Sequence, residues 1–239
     1  MTDLAAQNAA AAEAMTSRIV GPTILMGDGL YFDFEAPSAD GMTIEDYAWG
    51  LVASNRFRGQ SRCTQCILPH HRMLYNVAQH CVLLVKAMYE DGHPLAAIYQ
   101  GLMHESDEVA WGDIPGPAKQ LFPPEVRALI KRSGDAIDRR FGVPHEHKDL
   151  VKHYDLRMLA TEKRDLMPHA ASYEWDHTAG AEPFAFRIKP WSVEESVERF
   201  LASYLFLQEA LAADPVRDQL AVADPETVDL FPHGSTGDA

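Results

Sequence analysis

The sequence predicts an all-α helical bundle preceded by a small β-hairpin, and three observations lead to this fold class. After Thr43, apolar residues recur at intervals of three and four along most of the chain, which is the spacing of amphipathic helices. Two short apolar runs within residues 18–35 are separated by Gly-Asp-Gly, a pattern typical of a hairpin. No strand candidate of similar quality follows, so helices are expected to build the core.

The helices can be placed from their spacing and from their end signals. Thr43, followed by Asp46, predicts an N-cap and a helix that runs to about Ser54. The sequence Ser192-Val-Glu-Glu predicts a second cap and a last helix to about Ala212. Between them the pattern predicts four helices, at residues 73–90, 95–108, 124–141 and 146–166, and a long loop at 167–190.

A chain of 239 residues suits one domain with small appendages. We expect that domain to span residues 18–212. Residues 1–17 are Ala-rich and are expected to be an N-terminal extension, and residues 213–239 a flexible C-terminal tail.

Composition narrows the classes of function. The 35 acidic and 21 basic side chains give a net charge of −14, which disfavours binding to nucleic-acid polymers or anionic lipid. A small anionic substrate remains compatible, because a metal and a few cations can reverse the field inside one pocket. Three cysteines do not form a disulfide framework, and no apolar run approaches a membrane span. We expect a cytoplasmic protein without a membrane partner.

Four residues form the strongest chemical pattern: His80, the adjacent pair His104-Glu105, and Asp155. Imidazole and carboxylate groups together suit a divalent transition metal. The chain has 11 histidines and 35 acids, so a set of this kind can also arise by chance. From the residues alone, metal ligation and ordinary core or surface histidines both remain open.

The surrounding blocks resemble a known superfamily. The segments YNVAQH (75–80), MHESDEVAWGDIPGPAK (103–119) and VKHYDLRMLATEKRDL (151–166) resemble the HD-domain phosphohydrolases. The nearer likeness is to bacterial 5′-deoxynucleotidases and phage-encoded dATP triphosphohydrolases, and it extends roughly from Gly29 to Leu211. The resemblance implies that the helices form an HD-domain helical bundle.

The resemblance also implies roles for individual residues. The metal ligands would be His80, His104, Glu105 and Asp155. Glu108 and Asp113 would be catalytic, Glu108 beside the attacking water and Asp113 as a holder of the substrate, possibly through its sugar. Arg56, Arg58 and Lys119 would bind substrate phosphate, with Arg56 slightly favoured over Arg58 because of the following Phe57.

The function implied is a metal-dependent phosphohydrolase that releases a deoxynucleoside from a deoxynucleotide. The substrate would be a monophosphate or a triphosphate, with a dATP-type activity favoured. One divalent transition metal per chain is expected (Co, Mn, Zn, Ni or Fe, with Mg disfavoured), since His145, His147 and His153 form no clear second pair. Relatives commonly form dimers or larger assemblies. If the chain is phage-encoded, the host cytoplasm is its compartment.

Two departures from the superfamily pattern leave alternatives open. Glu105 stands where the superfamily normally has Asp, so a catalytically weakened nucleotide-binding sensor is one alternative, and another HD enzyme such as a cyclic-nucleotide phosphodiesterase is a second. The segment CTQCILPHHR resembles an insertion. Its Cys63, Cys66, His70 and His71 have the elements of a zinc site at a compressed spacing, and a substrate-facing loop is the favoured interpretation.

Overall fold

A computed structural model of the chain describes residues 21–63, 71–167, 174–175, 178 and 180–213. They form a helical bundle with a small antiparallel hairpin at the N-terminal side, as the sequence predicts. The hairpin consists of β1 (Thr23–Leu25) and β2 (Tyr31–Asp33). The helices are α1 (Ile44–Ala53), α2 (Val77–Glu90), α3 (Leu95–Leu102), α4 (Glu108–Trp111), α5 (Gly116–Lys119), α6 (Pro124–Phe141), α7 (Lys148–Leu166) and α8 (Val193–Ala213).

Helix α2 lies at the centre of the bundle and packs against α1, α3, α7 and α8. Ten of its fourteen residues are buried, so it is apolar on nearly every side. A polar side chain on such a helix must find partners inside the protein. This requirement applies directly to His80, which is completely buried.

The start of α2 is joined to the turn that carries Arg56. The backbone N–H of Arg56 donates to the carbonyl of Tyr75 (2.9 Å), and Val77 N–H donates to the carbonyl of Ser54 (2.9 Å). Residues Arg56–Gly59 then form a tight helical turn in which Phe57 and Arg58 both have φ of 54°. These bonds place Arg56 beside the first turn of α2, where His80 lies.

The predicted end signals at Thr43 are confirmed. Asp46 N–H donates to Thr43 Oγ1 (3.0 Å), and Thr43 N–H donates to the Asp46 carboxylate (3.2 Å), so that two free donors of α1 are satisfied reciprocally.

The prediction of one continuous helix over residues 95–108 is wrong. Helix α3 ends at Leu102, and residues 103–107 form turns before α4 begins at Glu108.

A second small hairpin was not predicted. Strands β3 (Arg62–Cys63) and β4 (His71–Arg72) pair antiparallel, with Arg62 opposite Arg72. Two-residue strands are too short to show an alternating pattern in the sequence.

The expected N-terminal extension, the C-terminal tail and most of the CTQCILPHHR segment lie outside the described residues. Among those that are described, no helix combines the length and the apolar character needed to cross a membrane.

Asp165 joins the C-terminal end of α7 to the segment that precedes α8. Its carboxylate accepts hydrogen bonds from Arg164 Nε (2.7 Å), Arg187 Nη1 (2.7 Å) and the backbone N–H of Ile188 (2.9 Å). Burial raises the pKa of this carboxyl group, but the hydrogen bonds from Arg164 and Ile188 outweigh burial and hold the pKa below its usual value.

We expect Asp165→Asn to lower the free energy of unfolding by about 1–3 kcal/mol at pH 7, because charge-assisted hydrogen bonds are lost. A folded-state pKa below that of the unfolded chain contributes stability above the unfolded value of about 4, and this stability disappears as pH falls through the folded value. The difference between the variant and the wild type should therefore shrink below about pH 4. Urea unfolding at several pH values measures it, with the exposed Glu209→Gln as a control.

Candidate metal centre and adjoining cavity

Four side chains from three parts of the fold converge on one point. His80, His104, Glu105 and Asp155 each offer one ligand atom, and these four atoms all lie within 4.8 Å of one another. Donors about 2.1 Å from a common ion lie about 3 Å apart at a right angle and about 4.2 Å apart on opposite sides. Three of the separations in the cluster are 3.3, 3.4 and 3.5 Å and fall in this range, so the group could hold a metal ion.

His80 is oriented by a second buried side chain. Its Nδ1 lies 2.6 Å from Glu162 Oε1, and neither side chain is exposed to solvent. If Nδ1–H donates to this carboxylate, the lone pair of Nε2 points toward the cluster, 3.5 Å from Asp155 Oδ1 and 3.4 Å from His104 Nε2. A carboxylate behind a ligating histidine is a common arrangement around protein-bound metals, because it sets both ring orientation and tautomer.

His104 and Glu105 reach the cluster because the chain leaves the helix just before them. Neighbouring residues in a helix diverge by about 100°, which would direct one of the two side chains away. Helix α3 ends at Leu102, and His104 Nδ1 then lies 2.7 Å from the carbonyl oxygen of Gly101. His104 Nε2 lies 3.3 Å from Glu105 Oε1. The turn therefore lets consecutive residues act at one centre.

Asp155 lies on α7 and has two different neighbours. Its Oδ1 faces His80 Nε2, and its Oδ2 accepts a hydrogen bond from Lys152 Nζ (2.7 Å), one turn earlier on the helix. Lys152 was not identified from the sequence. Its position three residues before Asp155 was the available signal, because residues three apart share a helix face.

The charges in the cluster are mutually stabilising. Burial opposes ionisation of Glu105, but His104 outweighs burial and lowers the pKa of Glu105 to about 2. Burial also opposes ionisation of Asp155, and hydrogen bonding to His80 holds its pKa far below the usual range. Burial disfavours the charged form of His104, yet Glu105 raises the pKa of His104 well above its usual value. A proton and a metal ion bind the same imidazole lone pair, so the same negative field favours a cation.

Of the two predicted arginines, the structure brings Arg56 to the site and leaves Arg58 outside it. Arg56 Nε and Nη2 donate to Glu162 Oε2 (3.1 and 2.9 Å), and Nη1 lies 3.6 Å from Glu105 Oε1. Burial lowers the pKa of Arg56, but Glu162 outweighs burial and raises it. Arg58 is exposed and does not line the cavity described below.

Glu108 is buried at the start of α4, and one of its oxygens is unsatisfied. Its Oε2 is buried without a hydrogen-bond partner among the described residues, and its Oε1 lies 3.8 Å from Lys119 Nζ. Burial, followed by the charges of Glu105 and Asp113, raises the pKa of Glu108 well above its usual value. A buried carboxylate oxygen without a partner is costly, and a site for a water or a substrate explains it.

Asp113 and Lys119 are both close enough to Glu108 for their charges to act on it. Burial raises the pKa of Asp113, and the nearby Arg56 opposes that rise. Lys119 donates to Asp107 Oδ2 (3.0 Å), a carboxylate that was not singled out from the sequence. Asp107 raises the pKa of Lys119 against the effect of burial.

Most of these groups open into one cavity of about 1020 Å³, large enough for a drug-sized ligand; those that line it are Arg56, His104, Glu105, Glu108, Asp113, Lys119, Lys152 and Asp155. Apolar side chains line the same cavity beside the charged ones. They include Phe57, Ile114, Pro115, Leu156, Leu159 and Trp175. The proposed zinc elements Cys66 and His70, and the side chains of Cys63 and His71, lie outside the described residues.

Comparison with known proteins finds a relative whose name assigns it no activity. The chain is 33% identical over 138 residues to the uncharacterized protein YfdR of Escherichia coli strain K12. The matching region covers 58% of this chain and 68% of that protein. No known protein-family model matches the chain.

Proposed function

We propose that this chain, which belongs to the same family as YfdR of Escherichia coli, is a metal-dependent phosphohydrolase of the HD superfamily that acts on a deoxynucleotide. The observation that carries the proposal is the four-donor cluster at a large cavity, with the unsatisfied oxygen of Glu108 beside it. The sequence blocks around these residues support the HD assignment.

The donor set favours one class of cofactor. Two imidazole nitrogens and two carboxylates suit Co, Mn, Zn, Ni or Fe, while Mg prefers a shell made of oxygen alone. When bound, such an ion supplies Lewis acidity toward a phosphoryl oxygen and lowers the pKa of a bound water. One ion per chain is proposed, because the described residues contain one cluster of this kind.

Glu105 is compatible with this role although the superfamily pattern has the shorter Asp. Its Oε1 lies 3.3 Å from His104 Nε2, within the spacing of the other donors. Because α3 ends at Leu102, Glu105 lies in a turn and not on a regular helix. This geometry favours an active hydrolase over the weakened sensor.

Side chains of this protein then have separate roles toward a bound phosphate ester. Glu108 accepts a proton from the attacking water, a role that suits a carboxylate whose pKa is raised well above its usual value by burial and by the charges of Glu105 and Asp113. Arg56 Nη1 and Lys119 donate to phosphoryl oxygens and offset the negative charge that develops there. Asp113 accepts a hydrogen bond from a sugar hydroxyl.

The proposal is tested by supplying purified protein with Co, Mn, Zn, Ni, Fe and Mg in turn, together with each deoxynucleoside mono- and triphosphate. We expect release of the free deoxynucleoside with at least one transition metal, detected by liquid chromatography. Absence of turnover in every combination, with metal shown to be bound, would refute the hydrolase function.

We expect Glu108→Gln to lower kcat by about 10²–10⁴-fold, because general-base catalysis contributes an effect of this size. The substitution keeps the shape of the side chain, so metal stoichiometry should remain that of the wild type. Single-turnover rates together with metal analysis by mass spectrometry check both parts. Unchanged kcat would remove Glu108 from the proposed chemistry.

A further inference from the structure

A second groove lies between the N-terminal hairpin and the first helix, and it shares no lining residue with the metal cavity. Its volume is about 640 Å³, and its walls include residues 24–28, one face of α1, and residues 109–112. Residues 24–28 are the end of β1 and the turn after it, whereas no residue of β2 lines the groove. The groove therefore runs beside the edge of β1 that β2 does not cover.

The hydrogen bonds of the hairpin show which backbone groups of β1 point toward this edge. Met26 N–H donates to the carbonyl of Leu30 (2.8 Å). Phe34 N–H donates to the carbonyl of Pro22 (3.0 Å). Hydrogen-bonded and non-hydrogen-bonded pairs alternate along an antiparallel ladder, so Leu25 belongs to a non-hydrogen-bonded pair. Its N–H and C=O therefore point away from β2, and such an uncovered edge can pair with a further strand.

Exposed apolar residues border the same groove. Leu25 is 55% exposed, Ile24 beside it is 42% exposed, and Trp49 on α1 is 52% exposed. All three line the groove. Single exposed apolar residues are common, but a group of them around one concave surface indicates an interaction site.

The shape of the groove is fixed by hydrogen bonds between the turn after β1 and the start of α1. Asp28 N–H donates to Asp46 Oδ1 (3.2 Å), and Thr43 Oγ1 donates to Asp28 Oδ2 (2.6 Å). A surface that is already ordered loses little conformational freedom when a ligand binds. The groove is therefore suited to binding without rearrangement.

The groove is acidic. Three acids line it, and they are Asp28, Glu45 and Asp46. Residues 21–53, which include β1, β2 and α1, contain six acids and no Lys, Arg or His. Arg132 and Arg140 reach this segment, but they donate to backbone carbonyls and do not line the groove. This charge favours a cationic ligand and disfavours a second copy of the same acidic surface.

Glu45 and Trp49 together suit a guanidinium group. They are four residues apart on α1 and therefore lie on the same face of the helix, where both are exposed. Among the described residues, neither of them has a cationic partner. A guanidinium group can stack on an indole ring and donate hydrogen bonds to a carboxylate at the same time.

We propose that this groove binds an extended basic segment of another protein, which pairs with the free edge of β1 as an added strand. The residue of the segment opposite Leu25 exchanges two hydrogen bonds with the N–H and C=O of Leu25. Side chains alternate between the faces of a strand, so the residues on either side of it point to the face of Ile24, into the groove. An arginine at one of these positions contacts Glu45 and Trp49. This inference does not depend on the phosphohydrolase function.

The probe is a synthetic peptide in which arginine alternates with valine, labelled with fluorescein. Fluorescence anisotropy measures its binding to the full chain at about 0.15 M salt, where long-range attraction is largely screened. A control peptide has the same composition, with all arginines before all valines, so its charge is equal and only the alternation is lost. We expect the full chain to bind the alternating peptide at least about tenfold more tightly than the control peptide, a difference of about 1.4 kcal/mol.

The edge of β1 is tested by Leu25→Pro, which removes the outward N–H and leaves the hydrogen bonds to β2. Proline is tolerated at an uncovered edge of this kind. We expect the dissociation constant of the alternating peptide to rise by about threefold to tenfold, the effect of one lost hydrogen bond. The matched control is Tyr31→Pro. Tyr31 lies opposite Leu25, so its N–H points to the other edge of the hairpin, and this variant should bind as the wild type does.

A second pair of variants tests the charge without altering the backbone. Glu45→Gln should raise the dissociation constant by about twofold to fivefold, because an exposed ion pair contributes an effect of this size. Glu198→Gln makes the same change in charge at an exposed position on α8 and should have no effect. Circular dichroism shows whether each variant is folded, and the glutamine pair still decides the question if a proline variant is not.

Several results would overturn the inference. Equal binding of the two peptides, or equal effects of Glu45→Gln and Glu198→Gln, would mean that overall charge alone attracts them. A dimer that Leu25→Pro dissociates in sedimentation would assign the edge to a second copy. Protection of the Leu25 amide from hydrogen exchange in the free full chain would assign it to another segment of the same chain.

Discussion

His104→Ala is expected to abolish both metal binding and nucleotide hydrolysis. Its Nε2 lies 3.4 Å from His80 Nε2 and 3.3 Å from Glu105 Oε1, between the other candidate ligands. Removal of the ring therefore removes one of the four metal ligands. A metal contributes several kcal/mol of transition-state stabilisation, which corresponds to a loss of about a thousandfold or more in kcat/KM. Metal stoichiometry by mass spectrometry and turnover of deoxynucleotides measure the two effects.

The control for this variant is His153→Ala. His153 is exposed on α7, two residues from Asp155, and it does not belong to the cluster. We expect wild-type metal content and activity from it. If His104→Ala retained one metal per chain, or if both variants lost metal equally, the four-residue cluster would not be the binding site.

Glu162→Gln is expected to have the largest effect on stability. One oxygen of Glu162 lies 2.6 Å from His80 Nδ1, the other accepts two hydrogen bonds from Arg56, and the side chain is fully buried. Arg56 lowers the pKa of Glu162 despite burial, so the group is ionised in the folded protein. The neutral amide removes the carboxylate nearest to Arg56 and leaves its buried charge with the more distant Glu105 (3.6 Å), which costs up to about 3–5 kcal/mol.

The same variant should weaken metal binding by about 10–100-fold, because the partner that orients His80 is altered. Urea unfolding measures the first effect and competition with a chelator measures the second. Glu198→Gln, exposed on α8, should stay within about 0.5 kcal/mol of the wild type. Adding Arg56→Met to Glu162→Gln should recover part of the lost stability, since the buried charge that has lost its nearest carboxylate is removed. A wild-type unfolding midpoint for Glu162→Gln would contradict the buried network.

The sequence allowed prediction of those features that depend on local rules. Helix spacing located α6 at residues 124–141, and the structure has the same bounds. The end of α3 could not be located in this way. Residues 95–108 are largely apolar in their first half and contain no Pro. Their one Gly, Gly101, lies within α3, which continues to Leu102, so it does not by itself indicate the turn that brings His104 and Glu105 together.

The sequence indicated His80, His104, Glu105 and Asp155 as a possible metal centre, and the resemblance of the surrounding blocks favoured metal ligation; these four side chains lie together in the structure. Tertiary structure alone decided which groups support that centre. Glu162 is 82 residues from His80 and 106 from Arg56, and only packing of α7 against α2 joins the three. The sequence slightly favoured Arg56 over Arg58, but the position of Arg56 at the site has a tertiary cause. It depends on a backbone turn pinned to Tyr75, a long-range hydrogen bond that no local pattern encodes.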